Sequence, residues 1–110
     1  MSEKKPVRYG TISRTKGKEG YEAYKKFHAN PFPGVNEMIK KCNIQNYSIY
    51  YYDGLLFSYF DYVGDDYEAD MAKMAADATT QRWWAAVDPV MNPFKAGETW
   101  APMEELYHLD

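Results

Sequence analysis

The sequence holds a single cysteine, Cys42, in 110 residues. One thiol can form neither an internal disulfide nor a cysteine-based metal cluster. Positive charge is not in excess either: 13 Lys and Arg stand against 16 Asp and Glu, for a formal net charge of -3. The short basic stretches, Glu3-Lys4-Lys5 and Lys16–Lys18, read as solvated ends or loops. That is not the electrostatic footprint of a nucleic-acid binder. No long apolar run and no secretory leader stand out, so no membrane span is expected and a soluble, reducing, cytoplasmic setting is. Histidine is scarce, and His28 is the only one in the first hundred residues. No Ser or Cys pairs with a base by sequence, no His/Glu/Asp spacing suits a metal, and no Gly-rich loop offers to cradle phosphate.

Aromatic residues are abundant instead: eleven Tyr, five Phe and three Trp. Large rings with polar edges suit a concave site for a flat or polyhydroxylated ligand, and they equally fill a small core or an interface. Cys42 falls at a core spacing and reads as a small buried hydrophobe. A chain of this length suggests one domain, large enough to bury a core without staples.

Along the chain, Val7 to Arg14 alternates loosely and reads as a strand. Thr15 to Gly20 is turn chemistry, and Tyr21, Tyr24, Phe27 and His28 then recur at three and four, predicting a helix from about Lys18 to Ala29. Pro31 and Pro33 end it, and Pro33 suits the start of a second, short helix. There Val35, Met38, Ile39 and Cys42 form a buried stripe, with Asn43 as its C-terminal cap. The clearest local signal is a β-hairpin, Asn46 to Tyr52 and Leu55 to Val63, joined by Asp53-Gly54. On its first arm Tyr47, Ile49 and Tyr51 share a face. Gly64-Asp65-Asp66 offers an N-cap, and Tyr67, Met71, Met74 and Ala75 form the next helical stripe. Thr80 can cap a further helix from Gln81 to about Met91, in which Trp83, Val87, Val90 and Met91 share a face and Trp84 lies about 100° around. Met103 to Leu109 reads as a last strand, with Leu106 and His108 on one face.

The order β-α-β-β-α-β, with one added short helix, is the ferredoxin-like α+β plan: an antiparallel sheet with helices on one face. The other face then needs a cover. The aromatic load of the hairpin makes a bare face improbable, so a homodimer of the dimeric α/β-barrel type is expected. The site is expected between the sheet and the loop after the first helix.

Near that loop stand His28, Tyr24 one turn before it, Tyr47 at the start of a strand, and the pair Trp83-Trp84. An imidazole near its ordinary pKa of about 6.5 both gives and takes protons at neutral pH. Phenols orient or relay, and indoles stack on apolar sugar faces. With no nucleophile or metal ligand set legible, acid–base chemistry on a neutral polyhydroxyl ligand is the reading that remains.

Three separated motifs add to it: Glu22-x-Tyr24-x-x-x-His28 with Pro33 five residues on, Asn46-Tyr47-Ser48-Ile49-Tyr50, and Gln81-Arg82-Trp83-Trp84. In this order, and with 18 residues from His28 to Asn46, the chain from about Val7 to its end resembles the L-rhamnose mutarotase family. The resemblance implies a single dimeric domain over residues 1–110 that needs no cofactor or metal. It implies an isomerase of carbohydrate metabolism, with a monosaccharide as substrate and no nucleic-acid or membrane partner. It implies His28 as the catalytic acid, with Tyr24, Tyr47, Trp83 and Trp84 binding the sugar. The chain departs from the family after His28, where Trp-Pro-Glu is frequent and Phe32-Pro33-Gly34 stands here. L-Fucose or another 6-deoxyhexose is therefore an alternative substrate. The rival readings are a non-catalytic small-ligand binder or a cofactor-free oxygenase on the same scaffold. An RNA-recognition module is a more distant one, since Leu56 to Phe60 lacks the preceding basic-Gly pair.

Overall fold

The computed structural model describes residues 5–110; Glu3 and Lys4, read as part of a charged end, lie outside the described residues. In chain order the elements are β1 (Val7–Arg14), α1 (Gly17–Ala29), α2 (Val35–Lys41), β2 (Ile44–Tyr52), β3 (Leu55–Tyr62), α3 (Tyr67–Ala76), α4 (Ala78–Val87), a 3-10 turn (Asp88–Val90) and β4 (Ala101–Pro102). The sheet runs β2-β3-β1-β4, and every neighbouring pair is antiparallel. This is the ferredoxin-like strand order.

The hairpin forms where the sequence asks for it. Asp53 and Gly54 both adopt positive φ, 48° and 84°, as a two-residue turn matched to strand twist requires. One irregularity decides what the sheet presents. Between Gln45↔Asp61 and Ser48↔Tyr59, two residues of β2, Asn46 and Tyr47, oppose Phe60 alone. Asn46 takes the left-handed conformation at φ 53°, and its Nδ2 donates to Asp61 Oδ2 at 2.7 Å. The bulge reverses the strand's parity, so Ile44 before it and Tyr47, Ile49 and Tyr51 after it all face the helices.

The same inward face of β3 carries Leu56, Ser58, Phe60 and Tyr62. Two apolar clusters lie between this face and the helices. One joins Tyr24, Val35, Leu56, Trp83, Val87 and Met91. The other joins Cys42, Ile44 and Met74, with Met38, Phe60 and Met71 packed on it. The opposite face carries no helix. Its central row is Tyr50, Phe57 and Ile12, paired across three strands, and Tyr50 is 67% exposed.

Helix boundaries follow caps and prolines. Asp66 caps α3 by accepting from the Ala69 N–H at 3.0 Å. The N-cap of α4 is Asp77 and not Thr80: Thr80 donates both its N–H and its hydroxyl to Asp77 Oδ2, each at 2.9 Å. A carboxylate accepts both bonds at once, and α4 therefore starts three residues before Gln81. It also ends earlier than Met91, because Pro89 has no N–H to continue the ladder and a 3-10 turn takes over. That turn is fastened to the start of α1. The Lys16 N–H donates to the Val90 carbonyl at 2.9 Å, and a Cβ on Gly20 would lie 2.8 Å from the same oxygen. Only glycine permits that approach. Pro33 stands in the turn before α2, whose N-cap is Gly34 at φ 96°. Asn43 does close α2 in the left-handed conformation, at φ 67°.

The last strand does not lie over Met103 to Leu109, where no strand forms, but just before it. Ladder pairing covers only Ala101–Pro102. Beyond it the Met103 N–H donates to the Gly10 carbonyl at 2.9 Å, and Arg8 pairs with Glu105 at 2.9 Å. The rest of the tail joins no ladder. Leu106, Tyr107 and Leu109 are each more than three-quarters exposed, so the burial that makes a strand's alternating face favourable is missing here. His108 turns to Asp110 at 2.7 Å instead of joining a sheet. Among the described residues, no helix is long and apolar enough to cross a membrane.

Candidate active site

A cavity of about 660 Å³ opens between the inward sheet face and the helices. Its walls bring together His28 from α1, Tyr47 from β2, and Trp83 and Trp84 from α4. Four of the five residues expected to form the site thus meet around one space. Tyr24 does not line it. Its ring stacks behind His28, centroid to centroid 4.1 Å, and it lines a smaller cavity of about 390 Å³ on the other side of that imidazole.

His28 is held on three sides. Its Nδ1 lies 2.9 Å from the carbonyl oxygen of Tyr24. A carbonyl can only accept, so Nδ1 carries the proton, and the neutral ring keeps its lone pair on Nε2. Tyr24 covers one face, and the edge of Trp83 meets the ring at 5.2 Å. Burial lowers the imidazole's pKa below its ordinary value, partly offset by the bond to Tyr24. The resting ring is therefore a base at Nε2, and it becomes a donor there once protonated.

Both tyrosines are kept neutral. Burial, with a smaller contribution from Tyr47, holds the Tyr24 phenol well above the usual range. Burial pushes Tyr47 up to about 12, although the residue is 42% exposed overall on its edge strand. Tyr47 also meets Phe60 edge-on at 5.8 Å. These phenols can donate and accept hydrogen bonds at neutral pH but do not ionise there.

Trp83 serves two roles. It is buried in the core cluster, with Phe27, Phe32 and His28 all meeting it edge-on, yet it forms part of the cavity wall. Trp84, at 41% exposure, offers more free ring. The Phe32-Pro33-Gly34 departure resolves locally: Phe32 packs on Trp83 at 5.1 Å, while Pro31, Val35 and Asn36 reach the cavity.

Several lining residues were not legible from sequence: Asn36, Tyr67, Thr80, Asp88, Thr99 and Trp100. Trp100 stands in a loop without periodicity, so no pattern in the sequence marks it. Its placement comes from a long-range bond, Ser13 Oγ to the Thr99 carbonyl at 2.6 Å, which ties Thr99-Trp100 over the inner side of β1. Among the described residues, no three His, Cys, Asp or Glu side chains gather as a metal-holding group.

Fold and site together define a ferredoxin-like α+β protein whose cavity is walled by two indoles and one imidazole. A family model described as L-rhamnose mutarotase matches residues 8–109, and the chain belongs to the L-rhamnose mutarotase family. It is 31% identical over 96 residues to an L-rhamnose mutarotase of Lactiplantibacillus plantarum, covering 84% of this chain and 89% of that one. It is 32% identical over 96 residues to one of Bacillus subtilis, covering 82% and 86%. The crystal structure of an L-rhamnose mutarotase from Formosa agariphila superposes with a TM-score of 0.74 at 20% identity, covering 94% of this chain and 99% of that one. That last likeness speaks for the fold.

Proposed function

We propose that this protein interconverts the α and β anomers of L-rhamnose, with His28 as the proton-transfer group. The observation that carries the reading is the meeting of His28, Trp83 and Trp84 around one cavity, in a chain of this family. Opening a cyclic hemiacetal requires a proton to leave the anomeric hydroxyl and another to reach the ring oxygen. The C1–O5 bond breaks, C1–C2 rotates, and the ring closes on the other carbonyl face. A placed acid–base group supplies roughly 10²- to 10⁴-fold for such a step, enough for a reaction that already proceeds unaided. Neither a nucleophile nor a redox change is involved. Trp84 stacks on the apolar face of the sugar and its 6-methyl group, with Trp83 behind it. Tyr47 hydrogen-bonds the hydroxyls, and Tyr24 fixes His28 through ring stacking and its backbone carbonyl.

We further propose that the working form is a cytoplasmic homodimer. The uncovered sheet face with Tyr50, Phe57 and Ile12, continued by the apolar tail, supports this reading. The activity is tested by saturation-transfer NMR on the anomeric protons of L-rhamnose and L-fucose at equilibrium. Wild type is expected to accelerate exchange of L-rhamnose, and His28→Ala to abolish that acceleration. Unchanged exchange with both sugars would favour a plain binder.

A further inference from the structure

We propose that Asp88 is the second proton-transfer group of the cavity, acting across the sugar from His28. The proposal rests on the mutarotase reading of this same site and supplies what that reading leaves open, the partner of the imidazole.

Geometry comes first. Asp88 is the only carboxylate among the residues lining the cavity, as His28 is the only imidazole. It closes α4, with its N–H donating to the Trp84 carbonyl. Trp84 and Asp88 are therefore four residues apart on one helix face, and both reach the cavity. Asp88 begins the 3-10 turn whose Val90 carbonyl accepts from the Lys16 N–H at the start of α1, the helix of His28.

The carboxylate is also uncommitted. Asp61, Asp66, Asp70 and Asp77 each accept hydrogen bonds that bridge or cap elements. Asp88 has no side-chain hydrogen bond or ion pair among the described residues. At the C-terminal end of α4 a negative charge opposes that helix's dipole, although Asp88 also opens the following 3-10 turn.

Other titratable groups do not compete. The remaining ones facing the cavity are Tyr47 and Tyr67, and burial raises both phenols further from neutrality. Partial desolvation raises the Asp88 carboxyl, although the residue is exposed overall, and burial lowers the His28 imidazole. One proton held between the two groups suffices for catalysis. With His28 as imidazolium and Asp88 as carboxylate, Asp88 takes the O1 proton as C1=O1 forms. The C1–O5 bond breaks, its electron pair goes to O5, and O5 takes the Nε2 proton of His28. Neutral imidazole and carboxylic acid remain, and ring closure returns both protons. Protons are exchanged between the two groups and none is consumed.

The test is the same anomeric-exchange NMR with L-rhamnose, run from pH 4 to 9 on wild type, Asp88→Asn, Asp88→Glu and His28→Ala, with thermal unfolding of each. The wild-type profile is expected to fall at low pH, as both groups become protonated, and at high pH, as both lose their protons. Asp88→Asn is expected to lower kcat about 100-fold with little change in KM, to remove one limb of that profile, and to leave thermal stability unchanged or higher. Asp88→Glu is expected to recover part of the rate. A kcat within twofold of wild type in Asp88→Asn, while His28→Ala is inactive, would overturn the assignment of Asp88 and leave the mutarotase reading standing. A kcat loss that tracks lost stability would reassign Asp88 as structural. Failure of wild type itself to accelerate exchange would remove both readings.

Discussion

His28 and Trp83 show how a single side chain here serves packing and chemistry together. The imidazole has one nitrogen fixed on a backbone carbonyl and the other free, so its orientation is set by its own helix turn. Trp83 is at once a wall of the cavity and the edge-on partner of Phe27, His28 and Phe32. Its neighbour differs only by the 100° step of the helix, and this predicts a separation of effects. Trp83→Ala would leave a cavity beneath three rings, and a loss of about 3–5 kcal/mol in unfolding free energy is expected, with activity falling in step. Trp84→Ala removes a ring that is largely free on one side. Its cost in stability is expected near about 0.5 kcal/mol, while KM for the sugar rises roughly tenfold, the effect of about 1.4 kcal/mol of lost stacking. Urea denaturation beside NMR exchange kinetics of both variants checks this, and equal stability losses would contradict it.

Among the elements, what the sequence made legible was local chemistry. Asp53-Gly54 announced its turn because few other pairs accept positive φ twice. Tyr24 and His28 could be placed on one helix face by spacing alone. What stayed hidden depends on distant partners. Trp100 reaches the cavity through Ser13, 86 positions away for the bonded Thr99. Asp88 reads as a helix interior until Pro89 ends α4 early. The tail carries alternating residues but finds nothing in its own chain to bury them. The β2 bulge lies between these cases. Tyr47, Ile49 and Tyr51 could be assigned a common face, but not that Ile44 joins them through an extra residue. That residue, Asn46, is predicted to control the aim of Tyr47. Asn46→Ala leaves a residue in the left-handed conformation without the short polar side chain that makes it tolerable there, at about 1 kcal/mol, and removes the bond to Asp61. Stability and sugar affinity should both fall. Asn46→Gly keeps the conformation and should recover more affinity than stability. A Tyr47 position unchanged in a crystal structure of Asn46→Ala, with unaltered KM, would show that the bulge aims nothing.

At the scale of the whole molecule, helices and cavity occupy one side of the sheet, and among the described residues no helix covers the other. Ile12, Phe57 and Tyr50 form a continuous row across β1, β3 and β2. Arg8 and Glu105 bind the tail along the neighbouring edge at 2.9 Å, which adds Leu106, Tyr107 and Leu109 to the uncovered apolar surface. A stable interface of ordinary size buries about 800 Å² on each partner. A two-fold pairing of the face with itself sets like surfaces together, so a charge at its centre meets its own copy or stays buried without a partner. Phe57→Glu is therefore expected to shift sedimentation from twice the 12.8 kDa chain mass to the single mass. Its stability would become independent of concentration, whereas wild type should melt higher as concentration rises. The cavity lies on the far side of the sheet from Phe57. If monomers keep their anomerase rate at low temperature, the dimer serves stability alone. If the rate is lost while near-native ellipticity persists, the partner helps to hold the strands that aim Tyr47. Wild type sedimenting as a monomer would refute the pairing outright.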